Sequence, residues 1–205
     1  MTSLRHKGLD SARPPADSAP ESTADLALDA ARACILAVGW KRTTLTEVAR
    51  RAGVSRMTIY RTWLDMNALL GDLMTREWSG LVQVDSTGSD GLTRLVRSGV
   101  ATVRAVRANP LFARIVELDP ELLLPYLLDR PGRSQRLVLD VVATQITAGQ
   151  ASGDIRSGDA SLLARSIVLA CHGFTLSAQT MASDGLTEAQ LDDELAALLT
   201  GYLRP

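Results

Sequence analysis

Cysteine is almost missing from this chain. Cys34 and Cys171 are its two thiols, they lie in apolar helical surroundings far apart in sequence, and neither has the close partner that a metal knuckle or a redox motif requires. Both are expected to be buried thiols. Histidine is equally scarce, with His6 and His172 alone. Cys171-His172 is a poor start for a metal site, because adjacent helical residues point about 100° apart and no acid or second histidine follows at the fourth position. The chain also lacks a glycine-rich phosphate loop, a cofactor fingerprint, an internal repeat and convincing strand alternation. No nucleophile, base and orienting acid come together, so the reading is no enzyme, no cofactor and no metal. No run approaches the ~18 uncharged apolar residues of a membrane span, and the N-terminus has no charged-then-apolar signal pattern, so the expectation is a soluble, cytoplasmic protein.

Lysine is the last scarcity, at Lys7 and Lys41, so arginine supplies nearly all the positive charge. That reflects genome composition more than mechanism. The placement of charge is informative even though the net charge is only -1. Gly39 to Trp63 holds six basic residues, Lys41, Arg42, Arg50, Arg51, Arg56 and Arg61, against one acid, Glu47. Leu64 to Pro205 holds 12 basic against 17 acidic. A positive head on a negative body suits a protein that presents one face to phosphates. A solvated helix face would look the same by charge alone.

With 205 residues, 46% of them hydrophobic, the chain has enough apolar material for a core. Residues 1–24 carry Pro14, Pro15 and Pro20 without apolar period and are expected to be a disordered arm. Its Arg5, Lys7 and Arg13 suggest a minor-groove arm, but interspersed acids argue against that. From Asp25 to Val38 apolar residues recur at 3-and-4 spacing, predicting a helix closed by Gly39. Thr44 and Glu47 have capping-box spacing for a second helix to Ala52. Ser55 is placed to cap a third, from Arg56 to Trp63, and a fourth runs from about Asp65 to Trp78. After a loop from Val84 to Gly91, further helices are predicted over 92–108, 111–118, 121–128, 133–152, 159–183 and 187–203, the last with a Thr187–Gln190 capping box. All-α is the fold class.

The segment Leu45 to Leu64, LTEVARRAGVSRMTIYRTWL, carries the function. A helix-turn-helix requires a small residue where its helices cross, a residue tolerating positive φ in the turn, and apolar residues that lock the second helix down. Ala49, Gly53 and Ile59 meet these needs, with Val48, Val54 and Trp63 as further core candidates. Arg56, Met57, Thr58, Tyr60 and Arg61 are then left facing outward, with the helix N-terminus open to a phosphate. Arg50 and Arg51, mid-helix, are either solvated or phosphate contacts.

The pattern Thr44-x-x-x-Val48-Ala49-x-x-Ala52-Gly53-Val54-Ser55-x-x-Thr58-Ile59-Tyr60-Arg61-x-Trp63, followed by Leu69-Leu70, resembles the N-terminal domain of the TetR family of bacterial regulators. The motifs are specific across residues 25–78; beyond them the likeness rests on helix order and on His172-Gly173-Phe174. The resemblance implies an N-terminal three-helix helix-turn-helix domain over 25–78, its motif at 45–64, and a C-terminal helical domain over 79–205 that dimerises and encloses a small-molecule effector. It implies a homodimer on a palindromic, double-stranded operator, acting as a repressor that the effector releases. Thr44 and Tyr60 match positions that the family uses for phosphates. Arg56 and Thr58 match the exposed turn, for base edges or phosphates, and Arg61 fits a backbone contact. Met57 departs from a frequent glycine, so either the backbone approaches DNA less closely there or the methionine itself touches a thymine methyl; Met66 departs from a frequent lysine, an expected phosphate anchor, while Asp65 still caps the fourth helix. Phe112, Tyr126, His172 and Phe174 are the pocket candidates. A constitutive dimeric DNA-binding or interaction module with a filled core and no effector is the alternative, and an open cavity lined by a few polar groups discriminates against it.

Overall fold

A computed structural model describes residues 22–82, 90–129 and 131–205. The expected arm, its Arg5, Lys7 and Arg13, the histidine His6 and most of the loop after Val82 lie outside the described residues. Among the described residues there is helix and no strand, which confirms the all-α class.

The first three helices are α1 (Thr23–Val38), α2 (Leu45–Ala52) and α3 (Arg56–Thr62). Ser22 caps α1, two to three residues ahead of the expected start, with its hydroxyl accepting from the Asp25 N–H. Gly39 ends α1 at φ 83°, close against Leu118 and Asp119. The Thr44 hydroxyl accepts the Glu47 N–H at 3.2 Å, but the reciprocal half of the expected capping box is not made. The Glu47 carboxylate turns outward to Arg50, at 2.6 and 2.9 Å. Gly53 takes φ 68° at the end of α2, a left-handed conformation that costs glycine little. Its added Cβ would meet nothing, so backbone conformation alone selects glycine there.

α4 (Met66–Leu81), α5 (Gly91–Ala108) and α6 (Pro110–Leu118) follow. Asn109 and Pro110, expected only to close α5, also start α6: Asn109 caps it through the N–H groups of Leu111 and Phe112, and proline fills the first position, where no N–H is needed. The helix expected over 121–128 is instead a 3₁₀ turn at Pro120–Leu122 and a wider π-type turn at Pro125–Asp129, two prolines preventing a continuous α-helix. α7 (Arg133–Ser152), α8 (Ala160–Met181) and α9 (Glu188–Leu203) complete the chain, α9 with its full Thr187–Gln190 box. α8 is long and apolar enough, by length and composition alone, to cross a membrane. Its inner residues Leu163, Ala164 and Ile167 pack against α5, α7 and α9.

Two apolar cores result. The first gathers α1–α4 and α6 around Ile35, Val48, Ile59, Leu69, Leu73 and Leu111. The second joins α5, α7, α8 and α9 around Val103, Ile146, Ile167, Leu195 and Leu203. Polar stitches cross between elements. The Asp119 carboxylate, 3% exposed, accepts the Trp40 N–H at 2.8 Å and ties the end of α6 to the turn after α1. Asp192 on α9, 2% exposed, receives Arg104 and Arg107 of α5 at 2.6–2.8 Å.

Candidate nucleic-acid interface and ligand cavity

The second and third helices form the predicted motif because each end is specified locally. The Ser55 hydroxyl accepts the Thr58 N–H at 3.1 Å and starts α3; Ile59, buried against the first core, fixes its rotation. Arg56, Met57, Tyr60 and Arg61 are thereby exposed, Met57 at 76%. Thr58 is half-buried and its hydroxyl lies 2.8 Å from that of Ser55, so it is less available than its neighbours. Thr44, at the head of α2, is exposed. α3 contains no acid. Arg50, in contrast, is already held by Glu47, whose carboxyl the guanidinium pulls below its ordinary range. Lys41 is likewise engaged, 2.5 Å from Glu121.

Trp63 closes α3 and is buried, as the sequence implied. Its indole N–H donates to one oxygen of Asp72 on α4 at 2.7 Å. The other oxygen of Asp72 receives the Arg133 guanidinium from the start of α7. One carboxylate thus joins the end of the exposed helix to the C-terminal helices.

Arg133 also lies on the lining of a cavity of about 690 Å³ enclosed by α4–α8. Leu70, Met74 and Trp78 line it from α4, Val103 from α5, Phe112 from α6 and Val138 from α7. Trp78 and Phe112 meet edge to face, with centroids 5.7 Å apart at 70°. Of the pocket candidates, Phe112, Tyr126 and His172 are on the lining, and Phe174 is not. Phe174 stands about 200° further round α8 than His172 and packs with the second core, its carbonyl receiving Arg107. Burial pushes the Cys171 thiol up to about 11 and moves His172 below 6.5, so both are uncharged at neutral pH.

Asp72, Arg133, Trp78 and Gln145 were not legible as site residues. The available signal was α4 itself, which is apolar on two faces, Leu69 with Leu73 and Leu70 with Met74. A helix gripped on one side needs a single stripe.

A helix-turn-helix with an exposed arginine-rich second helix, carried on an all-helical body with its own core, defines a DNA-binding transcription regulator. The comparisons give the family. The model for bacterial regulatory proteins of the tetR family matches residues 27–73. An HTH-type transcriptional regulator of Mycobacterium bovis, itself uncharacterized, is 34% identical over 86% of this chain and 92% of its own length. The chain therefore belongs to the TetR family, a family of regulators and not of enzymes. The fold is also that of the R. erythropolis transcriptional repressor QsdR, with TM-score 0.65 and 19% identity over 89% of this chain and 96% of that one. A Saccharomonospora viridis protein, described as a transcriptional regulator and solved with choline, aligns at TM-score 0.59 and 18% identity, over 89% and 97%.

Proposed function

We propose that this regulator is a homodimeric repressor that a small-molecule effector releases from a palindromic operator. The observation that carries the reading is the double role of α4. Leu69, Leu70, Leu73 and Met74 all belong to the core under the recognition helix, and Leu70 and Met74, with Trp78 packed beside them, also line the cavity. A ligand that reshapes the cavity must therefore press on the element that seats α3. Asp72 supplies a polar route beside the apolar one, from Arg133 on the cavity lining to Trp63 at the end of α3. A cavity of this size lies within the usual range for small-molecule sites, and it disfavours a constitutive module with a filled core. The choline held by the S. viridis fold neighbour supports a ligand-taking cavity in this architecture.

In this reading Tyr60 and Thr44 hold phosphates, Arg56 and Met57 read base edges, Thr58 supports that turn, and Arg61 adds a backbone contact. Leu162 and Leu169 on α8, at 61% and 73% exposure, and Leu198 on α9, at 58%, are the apolar positions through which two subunits pair as a four-helix bundle. Pairing sets the two recognition helices about one DNA turn apart, ~34 Å. Effector binding favours a subunit arrangement that no longer fits this spacing.

Selection of tight-binding sequences from a random duplex pool tests the reading. A palindrome is expected, its specificity relaxed by Arg56→Ala and its affinity lowered evenly across sequences by Tyr60→Phe. Recovery of asymmetric sites, or no enrichment at moderate salt, overturns the dimeric operator reader.

A further inference from the structure

The cavity lining sorts by charge. Apart from its aliphatic and aromatic walls, it has three ionic side chains. Glu121 is paired with Lys41, Arg133 is paired with Asp72, and Arg136 is exposed, donating to the Pro131 carbonyl. Glu121 and Arg133 are themselves largely open to solvent, with side chains 45% and 60% exposed. All three thus belong to the mouth.

The rest of the polar lining is neutral. The Thr175 hydroxyl donates to the Cys171 carbonyl within its own helix, and Cys171 is a protonated thiol. Gln145 of α7 and His172 of α8 are different: both are half-buried, both line the cavity, and neither has a hydrogen-bond partner among the described residues. α7 and α8 pack along one another, so the two side chains enter from adjacent walls. An amide offers donors and an acceptor, and a neutral imidazole offers one of each. Such groups in an apolar wall remain unsatisfied until a ligand or water meets them.

We propose that this cavity takes an uncharged, predominantly apolar molecule whose hydroxyl or carbonyl group is bound by Gln145 and His172. The proposal rests on the effector reading above and names the ligand's chemical class. A carboxylate placed among these walls would lack a counter-ion, and desolvating an unpaired ion outweighs its apolar contacts. A quaternary ammonium would require open aromatic faces. Trp78 and Phe112 instead meet each other edge to face, and the third aromatic of the lining, Tyr126, lays its ring against Gly132, which does not form a cage.

Displacement of Nile red, an uncharged dye, from the purified full chain provides the test, using three probes with one tail: decan-1-ol, decanoate and decyltrimethylammonium. At pH 7.5 decan-1-ol is expected to displace the dye at about tenfold lower concentration than either ion. Gln145→Leu and His172→Leu are each expected to weaken decan-1-ol by about fivefold, the worth of one ordinary hydrogen bond. Circular dichroism checks the fold of both variants, and the three-probe ranking of the unaltered protein stands without them. Decanoate equal to or better than the alcohol, with its advantage lost in Arg136→Ala, overturns the proposal in favour of an acid anchored at the mouth. Preference for decyltrimethylammonium overturns it in favour of a cation site. If the alcohol binds but operator DNA is not released, the ligand class holds and the release mechanism fails. If Nile red does not bind at all, both readings fall.

Discussion

The two cores of this molecule solve opposite problems. Around α1–α3 the side chains close on themselves: Val48, Ile59 and Leu69 are at most 1% exposed, and the polar groups of the head are spent on caps or presented outward. Around α5–α8 the helices enclose space, and strength is drawn from contacts away from the cavity lining. The Asp192 cluster ties α5 to α9, and Gly149 lets α7 approach Ile155, where a Cβ would come within 2.5 Å of that side chain. A reading head needs one geometry. A cavity that transmits a signal needs a wall that can move, and α4 is shared by both. The difference teaches that tight packing and reserved volume coexist here by dividing the helices, with α4 as the boundary.

The largest test of this contrast is removal of the tie between α5 and α9. Asp192→Ala leaves Arg107, whose side chain is only 11% exposed, with the half-exposed Glu188 as its remaining carboxylate. A loss of about 3 kcal/mol, the low end for a broken buried pair because Glu188 still faces Arg107, is expected, read by denaturant unfolding. A loss below about 1 kcal/mol would show that α5 and α9 hold together without it. Next comes one substitution made twice. Val48→Phe, in the filled head, is expected to cost about 1–3 kcal/mol through overpacking. Val106→Phe, on the half-buried cavity wall, should leave the unfolding midpoint nearly unchanged while reducing dye and ligand binding. Equal costs at both sites would break the contrast between closed and open packing.

Surface changes in the head should show the reverse pattern, with function moved and stability untouched. Arg56→Ala is expected to cost about 1–3 kcal/mol of operator affinity at one base position. Arg61→Ala is expected to weaken all sequences alike and to lower the salt dependence by about one ion. Neither should shift stability by more than ~0.5 kcal/mol, because both side chains are exposed. Unfolding and titration against duplex DNA at several salt concentrations check all three values.

The head was legible because its physics is local. Thr44 and Ser55 cap helices by accepting the N–H three residues downstream, Gly53 supplies a left-handed turn, and Ile59 orients four exposed side chains; each signal lies within a few positions of what it controls. The cavity was not legible in this way. Leu70, Met74 and Val103 have the periodicity of core residues whether they face an atom or a space, so no sequence pattern separates the two. Phe174 and His172 illustrate the limit: two residues on one helix were assigned to one pocket, and helical geometry puts them on different sides. Asp72 and Arg133, 61 positions apart, are joined only by the tertiary fold. The 3₁₀ and π-type turns from Pro120 onward escape a reading by periodicity because the apolar residues of 122–128 imitate a short helix, although Pro125 lies in its middle.

The smallest effect concerns the one histidine among the described residues. His172 is held below its ordinary 6.5 by burial in the cavity wall, and no carboxylate among the described residues pairs with it. The unfolded chain therefore takes up this proton at a higher pH than the folded one. Stability associated with the neutral imidazole is complete above about 6.5 and is lost progressively as pH falls from there through the lower folded value. Carboxylates add their own acid sensitivity, so the informative quantity is a difference between proteins. Thermal midpoints of the wild type and of His172→Gln, measured at pH 7.5 and 5.5, isolate it. The wild type is expected to lose more on acidification, because glutamine has no proton to gain. An equal loss would mean that His172 is solvated well enough to titrate normally. It would then leave the cavity able to carry a charge in mild acid, and the separation between an ionic mouth and a neutral interior would disappear.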